Sequence, residues 1–288
     1  MTPNPQISPP IRQRVLGAAA YRLHRFQARS LYDDLARRGS EKHTGRPLVI
    51  GFFGATIGLG VAARLVHAGL NDVGFSPAFI DMAPEFGNAV PGQVPDCPQA
   101  DDGKGPAIFV MNSPEIPRAI QILRQKGITL DGRFRILSCA WEQPLAPKSW
   151  GPILAFFDTV WAPSRFVQTA LQARSDQVIE HVPYPLPVQP PRGVRRGDGR
   201  FAVLSVFDAK STQFRKNPEG ALAAFQAAFG DREDVQLILK ASHLTDETAA
   251  QFHTRYSCHN NIRFVTDKVS DSEMMNLIGN SDVVLSLS

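Results

Sequence analysis

The sequence predicts an α/β protein with two domains, each built on a sheet of parallel strands. Three observations lead to this fold class. Short apolar runs alternate with segments of helical period along residues 47–288, as in sheets whose parallel strands are joined by helices. Four prolines and three glycines interrupt this alternation at 184–199, and it restarts at Phe201. The length of 288 residues is sufficient for two hydrophobic cores.

The first domain, residues 47–190, contains six predicted strands. The first strand, 48–53, is an almost continuous apolar run, which is typical of a strand covered on both faces. The other strands are 77–81, 107–111, 135–140, 159–162 and 178–182. Helices are predicted at 61–68, from 113 to about 126, and at 164–173, where Ser164 is a good N-cap. Five prolines make 83–106 a predicted loop.

A linker at 191–199 precedes the second domain, residues 200–288. Its predicted strands are 201–207, 235–240, 262–265 and 283–287, and its predicted helices are 217–229, 245–256 and 270 to about 278. Ser270 and Glu273 form a capping box at the start of the last helix. The sequence stops at Ser288 within an apolar strand that no helix follows. We therefore expect the second domain to be incomplete.

The basic charge of the chain is concentrated in an N-terminal extension, residues 1–46. This extension carries nine basic and three acidic residues, whereas the remainder has a net charge of −2. Residues 11–38 are predicted to form a helix whose apolar stripe is interrupted by arginines. Two interpretations are open: a solvated helix that packs loosely on the domain, which we favour, or a weak contact with an anionic membrane surface.

Composition excludes several classes of protein. Three widely spaced cysteines argue against a disulfide framework and fit a reducing cytoplasm. We find no secretory signal, no apolar run of about 20 residues and no basic patch on the folded body, so we expect neither a membrane span nor a nucleic-acid partner. Seven histidines without ligand spacing and the lack of Asp-x-Asp predict no metal and no other cofactor.

A glycine-rich turn follows the first strand, at the end where α/β sheets bind ligands. Gly58, Gly60 and Ala63 satisfy the pattern G-x-G-x-x-A, and Asp81 follows Gly58 by 23 residues. The fit to a dinucleotide-binding fingerprint is imperfect because Ala55 and its neighbours separate the turn from the strand. Glycines in such a turn either let a ligand approach the backbone or only allow tight packing, and both interpretations remain open.

Polar residues also follow three later strands of the first domain. Asn112 follows the third strand, Trp141 and Glu142 follow the fourth, and Ser164 and Arg165 follow the fifth. A carboxylate at the end of an apolar strand is well placed to hold or deprotonate a hydroxyl. The alternative is a carboxylate that stabilises the start of a helix.

Basic residues follow two strands of the second domain. Arg215 and Lys216 lie just before a predicted helix, where backbone N–H groups and a cation favour an anion. Lys240 ends the next strand. Together these residues predict an anion site; the alternative is two solvated lysines, which we would favour for Lys240 alone.

Taken together, these segments resemble glycosyltransferase family 4, whose members are retaining enzymes of the GT-B fold. The resemblance covers about residues 47–288. The similar segments are IGLGVAAR at 57–64, AWEQPLAPKSW at 140–150, FDTVWAPSRFV at 157–167, LSVFD at 204–208 and FRKNP at 214–218.

The resemblance implies two Rossmann-like domains, of which the first binds the acceptor and the second binds a nucleotide-sugar. Lys216 matches the lysine of the family's basic pair on the donor diphosphate, and Gly58 and Gly60 belong to its donor-side turn. The arginine of that pair is replaced at 207–208 by Phe-Asp, so Arg215 or Lys240 takes its place.

Glu142 lies in the region where many members of the family have a histidine. The family's E-x7-E element, which contacts the donor sugar and ribose, is not in this sequence.

Three functional hypotheses follow. The first is a fragment, of impaired or no activity, of a glycosyltransferase that transfers a hexose with retention from a nucleotide-sugar to a hydroxyl of a glycan or lipid-linked acceptor. The second is a protein that binds an acceptor or a partner without catalysis. The third, from the G-x-G-x-x-A pattern alone, is a nicotinamide-dependent oxidoreductase.

Overall fold

A computed structural model gives the fold of this chain. The structure describes residues 45–89, 94, 100–186, 199–208, 216–242, 244–245, 247, 250, 254, 259–267, 269 and 271–287. The predicted helix at 11–38, residues 191–198 of the linker, Arg215, Ser270 and most of the predicted helix at 245–256 lie outside these residues. The predicted domain limits also stay predictions. The described residues fall into two compact units, 45–186 and 199–287.

The first unit is a six-stranded parallel sheet. Its strands are β1 (Leu48–Gly51), β2 (Ala78–Asp81), β3 (Ala107–Val110), β4 (Arg135–Ser138), β5 (Thr159–Ala162) and β6 (Ile179–His181). They are arranged in the order β2-β1-β3-β4-β5-β6. β1 is buried at every position, because it lies inside the sheet and is covered on both faces.

Four helices of the described residues cover this sheet. They are α1 (Gly58–Asp72), α2 (Ile116–Gln125), the short α3 (Gly151–Leu154) and α4 (Arg165–Gln172). α1 contributes Ala62, Ala63 and Val66 to the core on one face. The other three helices contribute to the larger core on the opposite face.

The helix predicted from 113 differs from the structure. Residues Ser113–Glu115 form a single 3₁₀ turn, and the α-helix begins only at Ile116. Pro114 and Pro117 explain the division, because proline is favoured in the first turn of a helix but cannot donate a backbone hydrogen bond within it. α3 was not predicted.

The second unit is a four-stranded parallel sheet. Its strands are β7 (Phe201–Asp208), β8 (Val235–Ser242), β9 (Ile262–Val265) and β10 (Val283–Val284), in the order β10-β7-β8-β9. α5 (Pro218–Phe229) covers one face and α6 (Asp271–Gly279) covers the other.

The predicted fold class is confirmed, because both units are α/β with wholly parallel sheets. Two Rossmann-like units of this kind are the architecture that the GT-B resemblance implies. Within the described residues, no helix combines the length and the apolar character needed to cross a membrane.

Candidate functional site

The strand order of the first unit fixes where a ligand is expected. β2 lies on one side of β1 and β3 on the other, so the chain direction across the sheet reverses between β1 and β3. Ligands of open α/β sheets bind beyond the carboxyl ends of the strands at this point of reversal. The segments after β1 and β3 are therefore the candidate site of the first unit.

The turn after β1 is held by a side chain from α1. Arg64 Nη1 donates to the carbonyl oxygens of Phe53 at 2.6 Å and Ala55 at 3.1 Å. The Ala55 backbone N–H donates to Phe52 O at 3.0 Å. These bonds satisfy three carbonyl groups beyond the end of β1, and they give the turn a fixed shape.

Gly58 and Gly60 have different surroundings, although both belong to the same sequence pattern. A Cβ atom on Gly60 would lie 2.7 Å from Phe52 O and closer still to Ala55 O, so Gly60 is required for α1 to pack on the turn. A Cβ atom on Gly58 would have no neighbour within 4 Å among the described residues, and Gly58 is exposed. Packing therefore explains Gly60 but not Gly58. Their predicted role in donor binding stays a prediction.

The carboxylate of Asp81 is engaged with its own turn. Asp81 Oδ1 accepts a hydrogen bond from the backbone N–H of Ala83 at 2.9 Å. In a dinucleotide fingerprint the corresponding carboxylate binds a ribose hydroxyl. The local bond gives Asp81 a role in the structure that needs no nucleotide.

The ends of β3 and β4 are joined by Asn112. Its Oδ1 accepts from the backbone N–H of Ala140 at 3.2 Å. Trp141 follows, with its Nε1 donating to Leu145 O at 3.0 Å and its ring 4.6 Å from that of Trp150. Glu142 is exposed. The structure thus brings Asn112 next to the segment that carries Trp141 and Glu142, and their role in binding stays a prediction.

Ser164 and Arg165 have local partners. Ser164 Oγ accepts from the backbone N–H of Val167 at 3.3 Å, so it caps α4 as predicted. Arg165 is exposed, and its Nη1 lies 3.4 Å from Gln168 Oε1. Their role in acceptor binding stays a prediction.

Two buried polar groups after β3 were missed at the sequence level. Ser113 is fully buried, and neither its Oγ nor Glu115 Oε2 has a hydrogen-bond partner among the described residues. Burial raises the pKa of Glu115. The signal was present in the sequence, since Glu115 follows the end of β3 closely and lies within the helix predicted from 113.

Cys139 lies beside these groups and is not suited to nucleophilic chemistry. Its Sγ is 3.7 Å from Asn112 Oδ1, and the side chain is fully buried. Burial raises the pKa of the Cys139 thiol to about 12, so the thiol stays protonated at neutral pH.

One cavity of this unit lies at the opposite edge of the sheet. A cavity of about 220 Å³ is lined by Arg124, Arg135, Phe156 and neighbouring residues. Arg135 begins β4, and its guanidinium is 4.4 Å from the Phe156 ring centre and 3.4 Å from Asp158. Because this cavity lies at the amino ends of the strands, we do not assign the ligand to it.

In the second unit the chain direction reverses between β7 and β10. Lys216 lies near this point, one residue before Asn217, and its side chain is half-buried. Asn217 has a left-handed backbone, φ 41°, and its Oδ1 accepts from the backbone N–H of Gly220 at 3.0 Å. Asn217 is thus the N-cap of α5, and Lys216 stands at the positive end of that helix. Arg215 lies outside the described residues.

Lys240 is buried, whereas a side chain that binds an anionic ligand is expected to be accessible to it. Only 1% of its surface is exposed, and its Nζ donates to Ala241 O at 2.7 Å and Ser242 Oγ at 3.2 Å. Burial lowers the pKa of Lys240, while Asp267 and Asp208 oppose that shift. Its donor-binding role stays a prediction. Among the described residues, no group of three or more His, Cys, Asp or Glu could hold a metal ion.

No family model matches this sequence, and no curated protein matches it. Among solved structures, the chain is similar to WaaB, a lipopolysaccharide outer core galactosyltransferase (13% identity, TM-score 0.48, 84% of this chain and 73% of WaaB). It is also similar to AviGT4, a glycosyltransferase involved in avilamycin A biosynthesis (13% identity, TM-score 0.45, 84% of this chain and 70% of AviGT4).

A third similar structure is TarM, at 8% identity and TM-score 0.47, with 65% of this chain aligned. The aligned part covers 36% of TarM, so the chain spans about a third of that protein. At such low identities these structures assign no activity to this chain.

Proposed function

We propose that this chain is part of a glycosyltransferase of the retaining GT-B type, similar to family 4. The reaction would move a hexose from a nucleotide-sugar to a hydroxyl of a glycan or lipid-linked acceptor. In it, the bond from the anomeric carbon to the diphosphate breaks and a bond to the acceptor oxygen forms on the same face of the sugar. The diphosphate leaves with the bonding electrons, so the main task of the protein is to stabilise that charge.

The observation that carries this proposal is the position of Lys216. Its ammonium group belongs to the segment between β7 and the N-capped end of α5, near the point where the sheet reverses direction. The first turn of a helix presents unpaired backbone N–H groups, and a preceding lysine adds a full charge. A diphosphate can bind to these N–H groups and to the lysine at the same time.

The first unit would hold the acceptor. Trp141 and Glu142 follow β4, and Asn112 fixes the end of β3 against them. Glu142 is exposed and carries a carboxylate, the group suited to orient a sugar hydroxyl and take up its proton.

Binding of a nucleoside diphosphate tests the donor side of this proposal. UDP and GDP are titrated into the chain by calorimetry, and one of them is expected to bind. Lys216→Ala should weaken that binding roughly 10- to 100-fold, because a hydrogen bond to a charged group contributes about 1.5–3 kcal/mol.

Arg263→Ala is the matched control, because Arg263 is an exposed cation of the same unit on β9. We expect it to bind the nucleotide as the unaltered chain does. Equal affinity of the Lys216→Ala variant and the unaltered chain would remove Lys216 from the donor site. A panel of radiolabelled nucleotide-sugars then tests transfer itself.

A further inference from the structure

Two charged residues of the second sheet lie on the same face at its carboxyl edge. In β7 and β8, the even-numbered residues Leu204 and Ile238 belong to the buried cluster on the α6 side of the sheet. Because side chains alternate between faces, Asp208 and Lys240 lie on that same side. Asp208 pairs in register with Ser242, whose Oγ accepts from Lys240 Nζ.

A third charged residue follows the neighbouring strand. Lys240 pairs in register with Val265 of β9, and Asp267 lies two residues beyond Val265. Lys240 is therefore flanked by a carboxylate from each side. Asp267 and Asp208 are the two acids that favour its charged form electrostatically, against the effect of burial.

The position of Asp208 matters for the proposed donor site. It is the last residue of β7, and the segment that follows leads to Lys216. A carboxylate at this position repels an incoming diphosphate unless an opposite charge compensates it. The buried ammonium of Lys240 is a cation on the same face of the adjacent strand, and it acts on Asp208 electrostatically.

We propose that Lys240 is a positioning residue that compensates the charge of Asp208 and Asp267, so that Lys216 can bind an anionic donor. Lys240 does not contact the donor itself, because its ammonium is buried and donates to its own strand end. This inference rests on the proposed function. It replaces the direct contact with the donor that the sequence predicts for Lys240.

A double-mutant cycle tests this role. Lys240→Met keeps most of the side-chain length but removes the charge, and Asp208→Asn removes the opposing charge. The affinities for UDP, GDP and inorganic pyrophosphate are measured by calorimetry. We expect Lys240→Met to weaken binding at least 10-fold and the double variant Lys240→Met/Asp208→Asn to return to within about threefold of the unaltered chain.

Asp234→Asn provides the matched control. Asp234 is an exposed aspartate at the amino end of β8, where it pairs with Arg232. Adding Asp234→Asn to Lys240→Met removes the same charge at the other end of the strand. It should not restore binding.

Asp208→Asn alone keeps the inference testable if the Lys240→Met variant does not fold. Removing the opposing carboxylate should tighten binding of the three probes about two- to fivefold. Unchanged or weaker binding by this variant would overturn the inference.

The other outcomes separate the inference from the proposed function. If Lys240→Met weakens binding and Asp208→Asn does not restore it, Lys240 contacts the anion directly and the positioning role is wrong. If Lys240→Met binds as the unaltered chain does, Lys240 has no role in donor binding. If the unaltered chain binds none of the three probes, the proposed function fails first, and the inference fails with it.

Discussion

At the scale of single residues, the two glycines of the turn after β1 show that one sequence pattern can hide two different requirements. Gly60 is buried where a side chain would strike the backbone carbonyls of Phe52 and Ala55. Gly58 begins α1 and faces open space. The pattern G-x-G predicts the same role for both glycines. Only the structure shows that Gly60 is needed for packing and that Gly58 is not.

Alanine at each glycine tests this difference. We expect Gly60→Ala to lower the free energy of unfolding of the first unit by about 1–3 kcal/mol, because the backbone must shift to admit the methyl group. Gly58→Ala is the control, and it should be neutral or stabilising by up to about 1 kcal/mol, because alanine is the better helix former. Urea titration followed by circular dichroism measures both. Equal effects of the two substitutions would contradict the packing assigned to Gly60.

Glu115 is a second residue whose behaviour depends on its surroundings. Burial raises its pKa, so over the pH interval just above its ordinary value the folded chain keeps a proton that the unfolded chain has lost. The contribution of Glu115 to stability therefore falls as pH rises through that interval. Below it, both states are protonated and the difference disappears.

Glu115→Gln keeps the shape of the side chain and removes its titration. We expect this variant to be more stable than the unaltered chain at about pH 8, and to differ little from it at about pH 4. Thermal melts at the two pH values measure the effect. A variant that is destabilised more at pH 8 than at pH 4 would instead show that the folded chain stabilises the ionised carboxylate of Glu115.

At the scale of elements, the loop at 100–106 is fastened to the amino ends of three strands. Asp101 Oδ2 is 2.6 Å from Nη2 of Arg133, whose side chain is 1% exposed. Arg133 Nη1 also donates to Gly105 O at 3.3 Å. Asp102 Oδ2 accepts from the backbone N–H of Arg46 at 2.8 Å. The loop thus fixes the starts of β1, β3 and β4, although its composition predicts only irregular structure.

Neutralising Asp101 should be costly because it leaves the guanidinium of Arg133 buried without its carboxylate. We expect Asp101→Asn to lower the free energy of unfolding by roughly 3 kcal/mol. Asp176→Asn, at an exposed aspartate of the same unit, should change it by less than about 0.5 kcal/mol. Urea titration measures the free energy of unfolding of both variants. Similar values for the two variants would show that the pair Asp101–Arg133 contributes as little as an exposed surface pair.

At the scale of the whole molecule, the sequence predicts the elements better than their arrangement. Apolar runs such as 48–53 identify buried strands, because a strand covered on both faces leaves little room for polar residues. The same runs do not distinguish the order β2-β1-β3-β4-β5-β6 of the first sheet from β10-β7-β8-β9 of the second. Strand order depends on where each crossover returns, and this is decided by packing between residues far apart in the chain.

The candidate site shows the same limit. The sequence predicts that its residues lie at strand ends or helix starts. Asn112 and Trp141 each follow an apolar run, and Lys216 precedes a predicted helix. The burial of Lys240 and of Ser113 is not visible, because solvent exposure at a strand end depends on the neighbouring strands. The sequence therefore predicts which edges carry the candidate site, and the structure shows which side chains of those edges are buried.

The pairing of β7 with β10 has a consequence for the chain while it is being synthesised. The backbone N–H of Ala202 donates to the carboxylate of Asp282, 80 residues later, and Val283 then pairs with Val203. At about 5–20 residues per second, a ribosome needs roughly 4–16 seconds to make that stretch. Until then one edge of β7 has no partner strand, so neighbouring nascent chains on the same messenger RNA can pair with it. Slower translation of this stretch would lengthen that exposure and increase the demand for chaperones.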